Sequence, residues 1–312
     1  MSELLWSFTH RPYVTLFLLA FLALSWLEQG GLRTLLWLIT GYFVAFVAEW
    51  GSINHGVPFG FYVYNYEALS NDLVVAGVPF FDSLSFAFLS YVSFSFAQYF
   101  VSPLWVRGFD VQRVTPRATR NSAGVLFLGA CLMVVIDVIV DPVTHHGRHW
   151  FLGDIYYYPV PGHHFDVPLA NYAGWFVVGW LTILINQHLD RWLASREANR
   201  GRATVLRHAP GKGLYAPLFW AGIVLFQLGV TAWLGWGYDL SLVAGDKTAW
   251  QNGLRLQFLA GCFVIAPILI LAATQLVRVN REPEAAVLDQ WLQEYPCAAL
   301  KSRRAAPDRS AT

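Results

Sequence analysis

Apolar residues fall into seven long runs separated by shorter polar segments, at about 13–28, 32–50, 79–101, 122–142, 169–188, 215–236 and 254–277. A bilayer core about 30 Å thick needs roughly 20 mostly apolar residues in a helix. The runs approach or meet that length. They predict an all-α, polytopic membrane bundle of about seven transmembrane helices. The first run is the shortest, and Ala23-Leu24-Ser25 imitates a signal-peptide cleavage site. Its front end is barely basic, however, and Gly30-Gly31 followed by Arg33 reads better as a tight helix–helix turn, so a retained helix is expected.

Composition strengthens this picture. The 312 residues are 56% hydrophobic and only 13% charged, against about 25% charged in ordinary soluble domains. That deficit cannot cover a soluble surface of this size. The net charge of +1 gives no basic field for nucleic acid. Cys131, Cys262 and Cys297 are scattered without a C-x-x-C pair, which suggests neither a disulfide frame nor a thiolate metal site.

Charge then orients the bundle. With seven spans, one side collects Arg33, the arginines of 102–121, the basic segment 189–214 and the basic tail. Only Arg11, Arg148, Lys247 and Arg255 fall on the other. The positive-inside rule gives N-out, C-in, with an integral location in a cytoplasmic (inner) membrane of bacterial type. Residues 1–277 form the membrane domain. Residues 278–312 form a cytoplasmic tail, in which 282–295 read as a short amphipathic helix at the interface and 301–312 as disordered.

Against this apolar background, carboxylates stand out. An ionisable group inside a span costs about 2.5–3.5 kcal/mol and usually faces a cavity. Glu49 closes the second span, Asp82 opens the third, and Asp137 and Asp141 share a face of the fourth. All four belong toward the non-cytoplasmic side. Each alone reads equally as a solvated helix end. Four from three helices suggest a site, and Asp137 is the hardest to explain as solvated.

The loop after the fourth span holds His145, His146, His149, His163 and His164. Neutral imidazole is the commonest metal ligand, so a metal is possible. Pro142 and Gly147 oppose a regular helix carrying His145 and His149. Membrane di-iron oxygenases carry more histidines, in boxes that face the cytoplasm. A polar interface loop is therefore favoured, with no cofactor expected. A retinal protein is excluded, because Lys212, Lys247 and Lys301 all lie outside the spans.

The segments "AEWGSINHGVPFGFYVY" and "IDVIVDP", followed by a tryptophan, "YYYPVP" and "VPLANYAGW", resemble the membrane carotenoid-biosynthesis family. Its characterised members include bisanhydrobacterioruberin hydratase and other carotenoid 1,2-hydratases. The matching positions are Glu49, Gly56 to Gly60, Tyr62, Tyr64, Asp137, Asp141-Pro142, Trp150, Tyr156-Tyr157, Asn171 and Gly174-Trp175, a core of about 49–180. Tyr158 stands where the family pattern has glycine, and "PGHHFD" looks like an insertion. The resemblance implies a linear carotenoid or other isoprenoid lipid as substrate and water addition across its terminal C1–C2 double bond. Such chemistry needs a protonated acid, a stabiliser for a tertiary cation and one admitted water. Glu49, Asp82, Asp137 and Asp141 become the catalytic candidates. Asn54, Pro58, Phe59, Gly60, Tyr62, Tyr64, Trp150, Tyr156, Tyr157, Asn171 and Trp175 become the substrate-binding candidates. The alternatives are a histidine-based carotenoid or lipid desaturase or hydroxylase, a non-catalytic carotenoid or lipid carrier, and a proton-coupled transporter.

Overall fold

The computed structural model of the chain describes residues 2–200, 209–277 and 283–294. The short α1 (Glu3–His10) leads into α2 (Pro12–Gln29) and α3 (Gly31–His55). A loop carrying β1 (Val63–Tyr64), β2 (Val74–Val75) and β3 (Val78–Pro79) precedes α4 (Phe80–Val101). The hairpin β4 (Leu104–Arg107) and β5 (Asp110–Arg113) and the single turn α5 (Arg117–Arg120) lead to α6 (Ala123–Thr144). A second loop, with β6 (Tyr156–Tyr157), precedes α7 (Leu169–Arg200), and α8 (Tyr215–Trp236), α9 (Lys247–Val277) and α10 (Ala285–Glu294) complete the order. Seven of these helices, α2, α3, α4 and α6 to α9, are long and apolar enough to cross a membrane. The fold is thus the expected all-α polytopic bundle.

α4 is the central post, packed by α3, α6 and α8 and touched by α2, α7 and α9. It is buried around most of its circumference, with small residues such as Ala87, Ser90, Ser93 and Ala97 among its phenylalanines. Within lipid, small residues let helix backbones approach closely. A Cβ on Gly41 of α3 would lie 2.7 Å from the Cα of Ala87, and one on Gly129 of α6 would lie 3.3 Å from the Cα of Phe94. α9 is the opposite case, with large residues such as Phe263, Ile270 and Leu271 exposed along its length, as a lipid-facing helix should be.

The two ends of the bundle differ in their chemistry. At one end Arg33 pairs with Asp190 at 2.6 Å and with Glu197 at 2.8 Å. Beside them Arg113 reaches Glu28 at 3.3 Å, and Glu28 also accepts from Tyr91 and Ser95. At the other end the two long loops join through antiparallel β1 and β6, which pair Val63 with Tyr157 and Tyr64 with Tyr156. Arg11 fastens both loops, donating to Asp72 at 2.9 Å and to the Leu152 carbonyl at 3.4 Å.

α10 falls within the tail segment 282–295 read as a short helix. Its Trp291 packs on Trp105 and Val114 beside the β4–β5 hairpin, and Glu294 accepts from the Arg117 amide. Val287, Leu288 and Leu292 pack partly against the same cluster. The expected disordered segment 301–312, and the basic residues at 201–208 and 278–282, lie outside the described residues.

Candidate active site

The stretch 49–66 builds one wall of the site by two different periodicities. Up to His55 it is helix, so Glu49 and Ser52 face inward together. Gly56 ends the helix in a left-handed conformation with φ of 74°, a C-terminal position that suits glycine. After the cis Val57–Pro58 turn and Gly60 the chain is extended, and side chains alternate. Phe59, Tyr62 and Tyr64 point in, while Phe61 and Val63 point out. The Phe59 amide donates to Ser52 Oγ at 2.9 Å. Gly174 of α7 leaves room for the Phe59 backbone, since a Cβ there would lie 2.9 Å from its Cα. The three tyrosines at 156–158 alternate in the same way. Tyr156 and Tyr158 face in, and Tyr157 is 55% exposed.

The four carboxyl groups form two pairs. Glu49 and Asp82 are in hydrogen-bond contact, as are Asp137 and Asp141. Two carboxyls in such contact can share one proton between their oxygens. Ser83 donates to Glu49. Tyr64 donates to Asp82 at 2.7 Å, and its hydroxyl lies 3.2 Å from that of Tyr62. Asp141 collects three donors: Tyr156, Tyr158 at 2.8 Å and Asn171 at 2.7 Å. Asn171 also donates to Asp137 Oδ2 at 2.6 Å, and among the described residues no donor reaches the buried Asp137 Oδ1. Three donors favour the charged form at Asp141 over Asp137.

Glu49, Asp82 and Asp141 face a common chamber with about 340 Å³ of empty space. Phe59, Phe86 and Trp175 form its apolar wall, and the rings of Phe86 and Trp175 lie 4.4 Å apart. Beside it runs a larger, mostly apolar cavity of about 730 Å³, lined by residues such as Phe17, Phe88, Leu89, Trp150 and Ile223. Asp82, Asp141, Tyr156 and Trp175 line both spaces. Burial first, then the neighbouring carboxylates, push the hydroxyls of Tyr62, Tyr64, Tyr156 and Tyr158 well above the ordinary tyrosine range. They therefore serve as neutral O–H donors.

Several expected site residues lie outside the acid chamber. Asn54 is exposed and donates to the Trp50 carbonyl of its own helix, because the helix runs on to His55 and turns it outward. Tyr157 points away from the acids by strand alternation. Pro58 and Gly60 shape the turn but do not line the chamber. Trp150 lines the apolar cavity instead, its indole donating to the Val143 carbonyl. Ser83 and Tyr158 were not expected as site residues, yet each binds a carboxyl. Tyr158 was legible only as a break from the family glycine. Ser83 carried no signal beyond following Asp82.

The histidines scatter. His145 packs on Tyr156 and Tyr158, His146 meets Gln257, His149 meets Tyr238, His164 meets Tyr172, and His163 is exposed. Burial, together with His145, His149 and Arg148 nearby, pushes His146 down to about 4. Among the described residues no group of three or more His, Cys, Asp or Glu is placed to hold one metal ion.

Seven apolar helices enclosing paired acids beside an apolar cavity define an integral membrane protein with a site suited to a lipid-soluble molecule. The sequence profile of the carotenoid biosynthesis protein family matches residues 10–242, and the chain belongs to that family. The match is wider than the expected core of 49–180 and takes in α2, which lines the apolar cavity through Val14 and Phe17. No curated protein and no solved structure matches the chain.

Proposed function

We propose that this protein hydrates the terminal C1–C2 double bond of a linear carotenoid by acid catalysis. The observation that carries the reading is the pairing of four carboxyls, three of which line a small chamber that shares a wall with a larger apolar cavity. The polyene end enters between helices and lies in the apolar cavity, with its terminal alkene in the chamber. The Glu49–Asp82 pair delivers its shared proton to C2. The π electrons form the new C–H bond and leave a tertiary cation at C1. The rings of Phe86 and Trp175 and the charge on Asp141 stabilise that cation. Water, oriented by Asn171 and the Tyr156 and Tyr158 hydroxyls, bonds to C1 through its oxygen. Asp141 takes the proton the water loses.

Proton count closes only if that proton returns to the donor pair. Tyr62 and Tyr64 already link the chamber to Asp82, so they and a chamber water supply the return path. No redox change occurs, and the reading uses no cofactor. The acid end faces the non-cytoplasmic side, following the distribution of arginines.

Expression in a lycopene-producing host with mass analysis of the pigments tests this. Products heavier by one or two waters support hydration. Pigment that co-purifies with unchanged mass points to a carrier. Products altered by loss of hydrogen or gain of an oxygen atom point to oxidative chemistry.

A further inference from the structure

We propose that water and protons reach the acid chamber through a separate aqueous pocket, with Tyr156 as the partition between them. The proposal rests on the hydration reading for its purpose but on geometry for its route. A pocket with about 520 Å³ of empty space opens beside the chamber and is lined by polar groups, among them Asn65, His145, Arg148 and Asp154. Arg148 and Asp154 pair at 2.8 Å on its rim, with the Arg148 side chain 68% exposed. Tyr156 lines this pocket, the acid chamber and the apolar cavity alike. One residue therefore borders all three spaces.

The tyrosine is held on both sides. Its hydroxyl donates to Asp141, while β1 pairs with its backbone. The His145 ring packs on Tyr156 and Tyr158, at 5.9 and 5.3 Å between centroids. Among the described residues the buried His145 Nε2 has no hydrogen-bond partner. A buried imidazole nitrogen left open on this wall is a place for a water in transit. The need is chemical. A polyene seated in the apolar cavity blocks that side, and an apolar cavity is a poor path for water. Each turnover consumes one water, so a second entrance is required. Tyr156 shifting on its strand lets water pass to Asp141 without opening the substrate side.

Access is measured rather than turnover. Asp141→Cys is made in a chain carrying Cys131→Ser, Cys262→Ser and Cys297→Ser, and labelled with a charged, membrane-impermeant thiosulfonate. Removing the partition with Tyr156→Ala should raise the labelling rate by about an order of magnitude. Filling the pocket in that background, with Arg148→Trp or separately with Asn65→Phe, should reverse the gain. Asp239→Cys, on a different loop and exposed, should label equally in every background and reports reagent supply, while unfolding temperatures in detergent report folding. The route is overturned if Tyr156→Ala leaves labelling unchanged, or if both filled variants label as fast as the open one. The two readings fail separately. Pocket-controlled labelling without hydrated product removes hydration alone, and hydrated product with pocket-independent labelling removes the route alone.

Discussion

Asp137 and Asp141 sit one helical turn apart, yet their surroundings differ. Asp141 receives three donors, and Asp137 keeps one oxygen without any. Asp137→Asn keeps the shape but takes away the carboxyl in contact with Asp141, the proposed base, and Glu49→Gln takes away one carboxyl of the proposed donor pair. Each should abolish hydrated product in the lycopene host while protein remains in the membrane fraction; normal turnover by both removes these residues from the mechanism. Tyr158→Phe deletes a single bond to a charged group, an effect of about 1.5–3 kcal/mol. Turnover should therefore fall by about ten- to a hundredfold and not vanish, as read from the rate of pigment conversion. At this scale the acids were legible because charge inside an apolar run is costly and rare. Their partners were not. Glu28 and Asp190 do not stand out in the sequence, because arginines from other elements neutralise them and apolar runs stop where such charges begin.

Element lengths followed from hydropathy for the same reason, and the errors are physical. α7 continues well past residue 188 because Arg33 and Arg120 hold its charged end inside the bundle. The β1–β6 contact, two residues on each side, lies below what alternation can signal, although it sets Tyr64 and Tyr156 in the wall. Close helix approach gives a test of packing. Gly41→Ala places a methyl against the Ala87 backbone and should cost about 1–3 kcal/mol. Gly222 on α8 has nothing within 4 Å of the added carbon, so Gly222→Ala should be neutral or slightly stabilising. Unfolding temperatures in detergent compare the two, and equal losses would reject the tight α3–α4 contact. The loop beyond α6 gives a pH test. His146 is neutral when folded down to about 4 but protonates near 6.5 when unfolded. The unfolded state binds more protons between those values, so stability should fall as pH drops from 6.5 toward 4. His146→Gln should flatten that slope.

For the whole molecule, the acid end holds together only if the two long loops stay down on the bundle. Arg11, at the junction of α1 and α2, does this from a distance in sequence that no local pattern reveals. It pairs with Asp72 of the first loop, donates to the Leu152 carbonyl of the second, and lies 3.8 Å above the Phe81 ring. Both partners are almost wholly buried, with side-chain exposures of 9% and 4%. Leaving one member of such a pair alone costs about 3–5 kcal/mol, whereas replacing both with apolar groups is often neutral. Arg11→Met should therefore lower the unfolding temperature sharply and, by freeing both loops, reduce hydrated product. Asp72→Leu added to it should recover most of the stability. Product should return less fully, because the Leu152 contact beside the apolar cavity stays lost. A double variant as unstable as Arg11→Met alone would mean that Arg11 acts through the Leu152 carbonyl and Phe81 rather than through its ion pair. The closure of the site would then depend on the second loop alone.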